Sequence, residues 1–201
     1  MRFPGGCFQE KGRELELSGD QRLAQLEYLG DATPFASRLH AMLPYWPLFE
    51  NLNLAEIGLL SQFLQVFRAQ VGQEVIREGD AGDFMMFVIE GSIQVFKQGN
   101  NDAPRLIAVV GAGKTLGEMS LIDGDPRSAS CIADRVTVMG VLTRESLASI
   151  ILEQPILGAK ILMELVVMLS HRLRETSSQL LACLDRERVE NGGSEAGASF
   201  V

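Results

Sequence analysis

Between Gly72 and Leu142 the chain breaks into short β-rich runs, and no helical period survives across any of them. The runs are Glu74 to Glu78, Phe84 to Glu90, Ser92 to Lys97, Arg105 to Val110, Ser128 to Ala133 and Val136 to Leu142. Turn-forming residues separate them at Gly79-Asp80-Ala81-Gly82, Gly91, Gly99-Asn100-Asn101-Asp102 and Gly111-Ala112-Gly113. Strands this short and this tightly joined can bury their faces only by folding back on one another. The expectation is a mainly β chain with flanking helices, built on an antiparallel, jelly-roll-like β-barrel.

Helices are expected on both sides of that barrel. Asn53-Leu54-Ala55-Glu56 fits a capping box, and apolar residues at helical spacing predict a helix over 54–68. Thr143 can cap a second helix with Glu145 in its first turn, and Pro155 can open a third at its first position. The third pattern continues to about Glu187, about 50 Å at 1.5 Å per residue. A small barrel cannot cover a helix of that length. Read in heptads, Leu162, Val166, Leu169, Leu173, Thr176, Leu180 and Cys183 form a coiled-coil seam, which predicts a homodimer through the C-terminal helix. The other reading is a single helix lying on its own barrel, but the seam outruns the barrel. Residues 1–44 are expected to form an N-terminal arm of two small helices, Gln21 to Leu29 and Pro34 to Leu43. Residues 45–187 are the folded domain, and the Gly- and Glu-rich residues 188–201 a disordered tail.

Composition narrows the function classes. A chain of 201 residues suits one domain with an ordinary core. No apolar run approaches the roughly 18 residues of a membrane span, and no apolar stretch follows Arg2 as in a secretory signal, so a cytoplasmic protein is expected. A net charge of -8 repels a phosphate backbone and argues against a DNA-binding surface. Cys7, Cys131 and Cys183 are odd in number and lack metal-ligand spacing, so free thiols are expected.

One segment carries chemistry: Gly117-Glu118-Met119-Ser120-Leu121-Ile122-Asp123-Gly124-Asp125-Pro126-Arg127-Ser128-Ala129. Gly117 permits a close backbone approach, and Arg127 can meet a phosphate bidentately. Amides around Met119 and Ser128 can add neutral donors, while Glu118 can accept from a sugar hydroxyl. On the residues alone, a second reading stands beside this one, in which Glu118 and Arg127 pair with each other in a surface turn.

The segment closely resembles the phosphate-binding cassette of cyclic-nucleotide-binding domains. Upstream, Gly72-Gln73-Glu74-Val75-Ile76-Arg77-Glu78-Gly79-Asp80 and Phe87-Val88-Ile89-Glu90-Gly91 resemble the same family's first strands, and the likeness extends from about Leu48 to Asp185. It implies that Glu118 binds a ribose 2′-hydroxyl, Arg127 the exocyclic phosphate oxygens, and the Ser128 amide the phosphate. His171-Arg172-Leu173-Arg174-Glu175-Thr176-Ser177 further resembles the end of the dimer helix in bacterial catabolite activators, where a Thr-Ser pair reads adenine across the dimer. Thr176 and Ser177 are therefore expected to favour cyclic AMP over cyclic GMP. Catabolite activators continue into a winged helix-turn-helix, whereas 16 residues follow Asp185 here, so DNA reading of that kind is not expected. The implied role is a stand-alone receptor that relays ligand binding to a downstream protein. A cyclic di-GMP receptor on the same barrel and a degenerate, non-binding interaction module are the alternatives.

Catalysis is not expected. Gly111-Ala112-Gly113-Lys114-Thr115 looks like the end of a phosphate-binding P-loop, yet position 108 is Ala and a loop follows. A cupin-like metal site needs inward-facing histidines, and His40 and His171 both lie outside the expected barrel.

Overall fold

The computed structural model describes residues 22–42, 51–99 and 103–195. Cys7 and the first part of the expected arm lie outside them. The strands are β1 (Glu27–Asp31), β2 (Gln65–Ala69), β3 (Glu74–Ile76), β4 (Phe84–Glu90), β5 (Ser92–Gln98), β6 (Pro104–Gly111), β7 (Thr115–Leu116), β8 (Ser130–Ala133) and β9 (Thr137–Thr143). The helices are α1 (Ala36–Met42), α2 (Leu54–Ser61), α3 (Glu118–Asp123), α4 (Arg144–Glu153) and α5 (Pro155–Glu195).

The strands form two antiparallel sheets, ordered β1-β2-β9-β4-β7 and β3-β8-β5-β6. The expected antiparallel, jelly-roll-like β-structure with flanking helices is present, but among the described residues no ladder joins the two sheets, so it is a two-sheet sandwich rather than a closed barrel. Phe67, Phe84, Met86, Met139 and Val141 of the first sheet meet Val75, Ile76, Ile93, Val95 and Cys131 of the second in one buried cluster. The other face of the first sheet presents Val66, Met85, Phe87, Ile89, Val138 and Leu142 to the helices, which bring Leu39, Ile57, Leu60, Ile150, Leu157 and Ile161. Strand β4 therefore has a layer on each face. That double burial explains its unbroken apolar run, since a strand with one wet face would alternate.

The helices start where their caps dictate. Asn53 accepts from the Glu56 amide at 3.0 Å, and the Glu56 carboxylate accepts from the Asn53 amide at 2.8 Å, completing the capping box. Lys160 of α5 reaches the same carboxylate at 2.7 Å and, with the Asn53 amide, holds it below the usual carboxylate range. Thr143 caps α4 by accepting from the Ser146 amide at 3.1 Å.

Three expected boundaries are corrected. The helix over 54–68 ends at Ser61, because Val66 and Phe67 are drawn into β2, where Val66 faces the helices and Phe67 the inter-sheet core. The helix over Gln21 to Leu29 is instead a 3-10 turn, Leu23–Gln25, followed by β1, which pairs with β2 in the register Glu27↔Arg68 and Tyr28↔Phe67. Side chains reinforce that pairing: Arg68 donates to Glu27 at 2.9 Å, and the Tyr28 and Phe67 rings lie 5.3 Å apart. Finally, α5 runs through Glu195, so residues 188–195, expected in a disordered tail, carry helical backbone. The expected helix over Pro34 to Leu43 is present as the turn Thr33–Phe35 and α1.

Helix α5 has two regimes. Leu157, Ile161 and Leu165 are buried against the domain, whereas every side chain from Leu173 to Asp185 is exposed. Of the heptad seam, Leu162, Val166, Leu173 and Leu180 are exposed in the single chain, as is Cys183.

Candidate ligand-binding site

The site is built where β7 hands over to α3. Gly117 takes a left-handed φ of 77°, which turns the chain directly into α3 and swings Glu118 inward. Glu118 is 1% exposed. One of its oxygens, Oε1, pairs with Nη1 of Arg172 on α5, and Arg172 also donates through Nη2 to the Thr115 carbonyl at 2.9 Å. Among the described residues the other oxygen, Oε2, is buried and accepts no hydrogen bond. Burying a carboxylate oxygen without a donor is costly, so this atom is suited to receiving a hydroxyl from a ligand.

Arg127 is likewise buried, at 3% exposure. The β3–β4 turn holds its main chain: the Arg127 amide donates to the Asp80 carbonyl at 2.8 Å, and the Gly79 amide donates to the Arg127 carbonyl at 2.8 Å. Its side chain donates through Nη1 to the carbonyls of Phe84 at 2.7 Å and Gly117 at 3.0 Å. The guanidinium carbon sits 4.1 Å from the centre of the Phe84 ring, a cation–π contact. Gly82 leaves the room for this: a Cβ there would stand 2.0 Å from Arg127 Nε. Three elements therefore fix the cation before any ligand arrives.

The burial of both groups removes the reading of a Glu118–Arg127 pair in a surface turn; Glu118 pairs with α5 instead. Met119 and Ser128 lie at the exposed side of the same segment, and the Ser128 carbonyl accepts from Lys97 Nζ at 2.5 Å. Thr176 and Ser177 are exposed on α5, one turn beyond Arg172. Among the described residues neither hydroxyl hydrogen-bonds to the 117–129 segment, and Ser177 donates back to the Leu173 carbonyl at 2.8 Å. Arg172 received no role from the sequence, although its spacing of four from Thr176 places it on the same helix face.

The remaining candidates resolve simply. Gly113 and Lys114 form a turn paired with β4, the Gly113 amide donating to Val88 O at 2.9 Å, rather than a strand-to-helix phosphate loop. Burial pushes the Cys131 thiol up to about 12, which leaves it protonated and inert. Among the described residues no cluster of His, Cys, Asp and Glu could hold a metal ion. No described helix is long and apolar enough to cross a membrane.

Residues 66–154 match the cyclic nucleotide-binding domain family. A crystal structure of a cyclic nucleotide-binding domain from Methylobacillus flagellatus superimposes with a TM-score of 0.73 at 34% identity, over 81% of this chain and 92% of that one. The chain belongs to the cyclic-nucleotide-binding domain family. It is 31% identical over 134 residues to the cyclic AMP receptor protein of Thermus thermophilus, a match that covers 67% of this chain and 60% of that protein. A cyclic nucleotide-gated potassium channel of Rhizobium etli is 38% identical over 87 residues, 23% of its length. The chain thus spans about 60% of the length of the curated receptor proteins it matches, and a far smaller part of the channel.

Proposed function

We propose that this cyclic-nucleotide-binding domain is a receptor for cyclic AMP that relays occupancy through its helices to a protein partner. The observation that carries the reading is the burial of Glu118 and Arg127 on one short segment. A buried carboxylate oxygen that lacks a donor and a preorganised guanidinium suit a ligand that joins a ribose to an anionic phosphate. In a protein of net charge -8, an anion needs such a local cation. The relay has two physical connections: Arg172 ties Glu118 to α5, and Arg144 of α4 donates to the Ser120 carbonyl of α3 at 2.7 Å.

Calorimetric titration with cyclic AMP, cyclic GMP and cyclic di-GMP tests the ligand. Tight binding of cyclic AMP with weaker cyclic GMP is expected, and saturation by cyclic di-GMP alone would overturn the reading. Base selection is assigned to Thr176 and Ser177, in accord with the catabolite-activator likeness. Thr176→Ala should narrow the cyclic AMP to cyclic GMP affinity ratio by about fivefold, the scale of one lost neutral hydrogen bond. An unchanged ratio would move base recognition elsewhere.

The exposed seam on α5 supports a parallel homodimer, because Leu162, Val166, Leu173 and Leu180 form an apolar stripe that one chain leaves in water. In that register Cys183 faces its own copy. Mild oxidation should then give an inter-chain disulfide on a non-reducing gel that Cys183→Ser abolishes, given a Cα separation of about 4.4–6.8 Å. A cross-link that survives the substitution counts against the register.

A further inference from the structure

We infer that Arg22, on the segment leading into β1, is a positioning residue for Arg127, so that residues 22–26 set ligand affinity from outside the site. The inference rests on the reading of Arg127 as the phosphate-binding residue. Arg22 bridges two elements of the second sheet's rim: Nε donates to Asp80 Oδ2 at 2.8 Å and Nη1 to Glu74 Oε2 at 2.7 Å. Its side chain is only 14% exposed. Asp80 belongs to the turn that clamps the Arg127 main chain, accepting from the Arg127 amide at 2.8 Å, and Gly82 of the same turn leaves room for the guanidinium. One guanidinium thus ties the carboxylate of this turn to β3.

A second contact runs from the same segment to the other support of Arg127. Leu23 and Leu26 are buried in the cluster that contains Phe84, whose ring underlies the guanidinium. The segment touches both the turn that holds the Arg127 backbone and the core that holds its side chain. Without Arg22, the Asp80 and Glu74 carboxylates would stand near each other with only Arg77 to serve both, paired with Glu74 at 2.6 Å and acting on Asp80 through its charge alone. Like charges at that rim would push the turn away from β3 and loosen Arg127. An exposed ion pair has little effect, and the Asp80 side chain is 39% exposed, but a bridge whose guanidinium is largely covered and which acts on the geometry of a buried ligand-binding cation shifts affinity severalfold.

The test compares wild type, Arg22→Gln, Arg22→Lys, Glu27→Gln and Arg127→Ala, each titrated with cyclic AMP and with adenosine, which shares base and ribose but lacks the phosphate. Arg22→Gln should raise the Kd for cyclic AMP about fivefold and leave that for adenosine unchanged, while Arg22→Lys recovers part of the loss. Glu27→Gln removes the Arg68–Glu27 pair of the neighbouring strand without touching the turn, and should change neither ligand. If Arg127→Ala weakens cyclic AMP but Arg22→Gln does not, the positioning role is overturned and the site reading stands. The positioning role fails equally if Arg22→Gln weakens both ligands alike, or if Glu27→Gln matches its effect, since either outcome reports only docking of the segment. If Arg127→Ala binds cyclic AMP as well as wild type, the site reading fails and the inference with it.

Discussion

Arg127→Ala is expected to lose at least about 2 kcal/mol of cyclic-nucleotide binding, roughly a thirtyfold rise in Kd by calorimetry. The size follows from the setting. A phosphate entering this site leaves water, and the field of the protein as a whole opposes it, so the attraction must come from a cation held close and dry. Alanine also strips the Phe84 and Gly117 carbonyls of their donor, so a thermal melt of the ligand-free variant must accompany the titration. Gly82→Ala tests the position of the charge while the charge itself is retained. Its φ lies outside the left-handed region, so the backbone tolerates a side chain, but the new Cβ would stand 2.0 Å from Arg127 Nε and must displace the guanidinium. This variant keeps the charge but moves it, and with it the donor to the Phe84 and Gly117 carbonyls, so it needs the same thermal melt. It should weaken binding in the same direction as Arg127→Ala, and unchanged affinity in Arg127→Ala would end the assignment of the phosphate to this residue.

The strands between 84 and 111 are legible in the sequence to within one residue, because glycine turns and apolar runs delimit them without competition. Local pattern misleads where a strand follows or precedes helical spacing. Leu59, Leu60, Phe63 and Leu64 continue an apolar helical period into Val66 and Phe67, and only the pairing of β2 with β9 and β1 shows that the chain has switched. The β1 segment is harder still. Leu23 and Leu26 have a helical spacing of three, yet they are buried in the inter-sheet core while Glu27 takes its place opposite Arg68. Long-range pairing leaves no local trace, so a window along the chain cannot find it. Barrel closure is illegible for the same reason: short strands imply packed β-layers, but whether the last edges meet is decided by ladders that no local pattern encodes.

The site divides along the same line. Glu118 and Arg127 are nine residues apart on one segment, and their chemistry can be read together. Arg172 and Arg22 reach their partners across 54 and 58 positions, one to Glu118 and the other to Asp80. Arg172 lies within the segment that resembles a dimer helix, but nothing in the immediate neighbours of either arginine points to its partner.

Arg172→Met is expected to destabilise the ligand-free domain by about 2 kcal/mol, seen as a lower midpoint in denaturant without a change in slope. The reason lies in its partner. Glu118 is almost wholly buried and pairs with Arg172, so removing the guanidinium leaves a carboxylate in a place where water cannot replace it. Breaking a fully buried pair costs more, but the Arg172 side chain is 43% exposed, and solvent screening reduces the figure. The amount due to the pair itself is obtained from a cycle with Glu118→Gln. If the stability of Arg172→Met reflects a stranded charge, adding Glu118→Gln should restore most of it, and the two substitutions will be strongly non-additive. Additive losses would mean that Arg172 acts through its contact with the Thr115 carbonyl alone. The cycle also bears on the relay, because an α5 helix anchored through Glu118 must feel any ligand hydroxyl that shares this carboxylate. Cyclic AMP should therefore stabilise wild type and Arg172→Met by different amounts, whereas equal stabilisation would uncouple the ribose carboxylate from the helix.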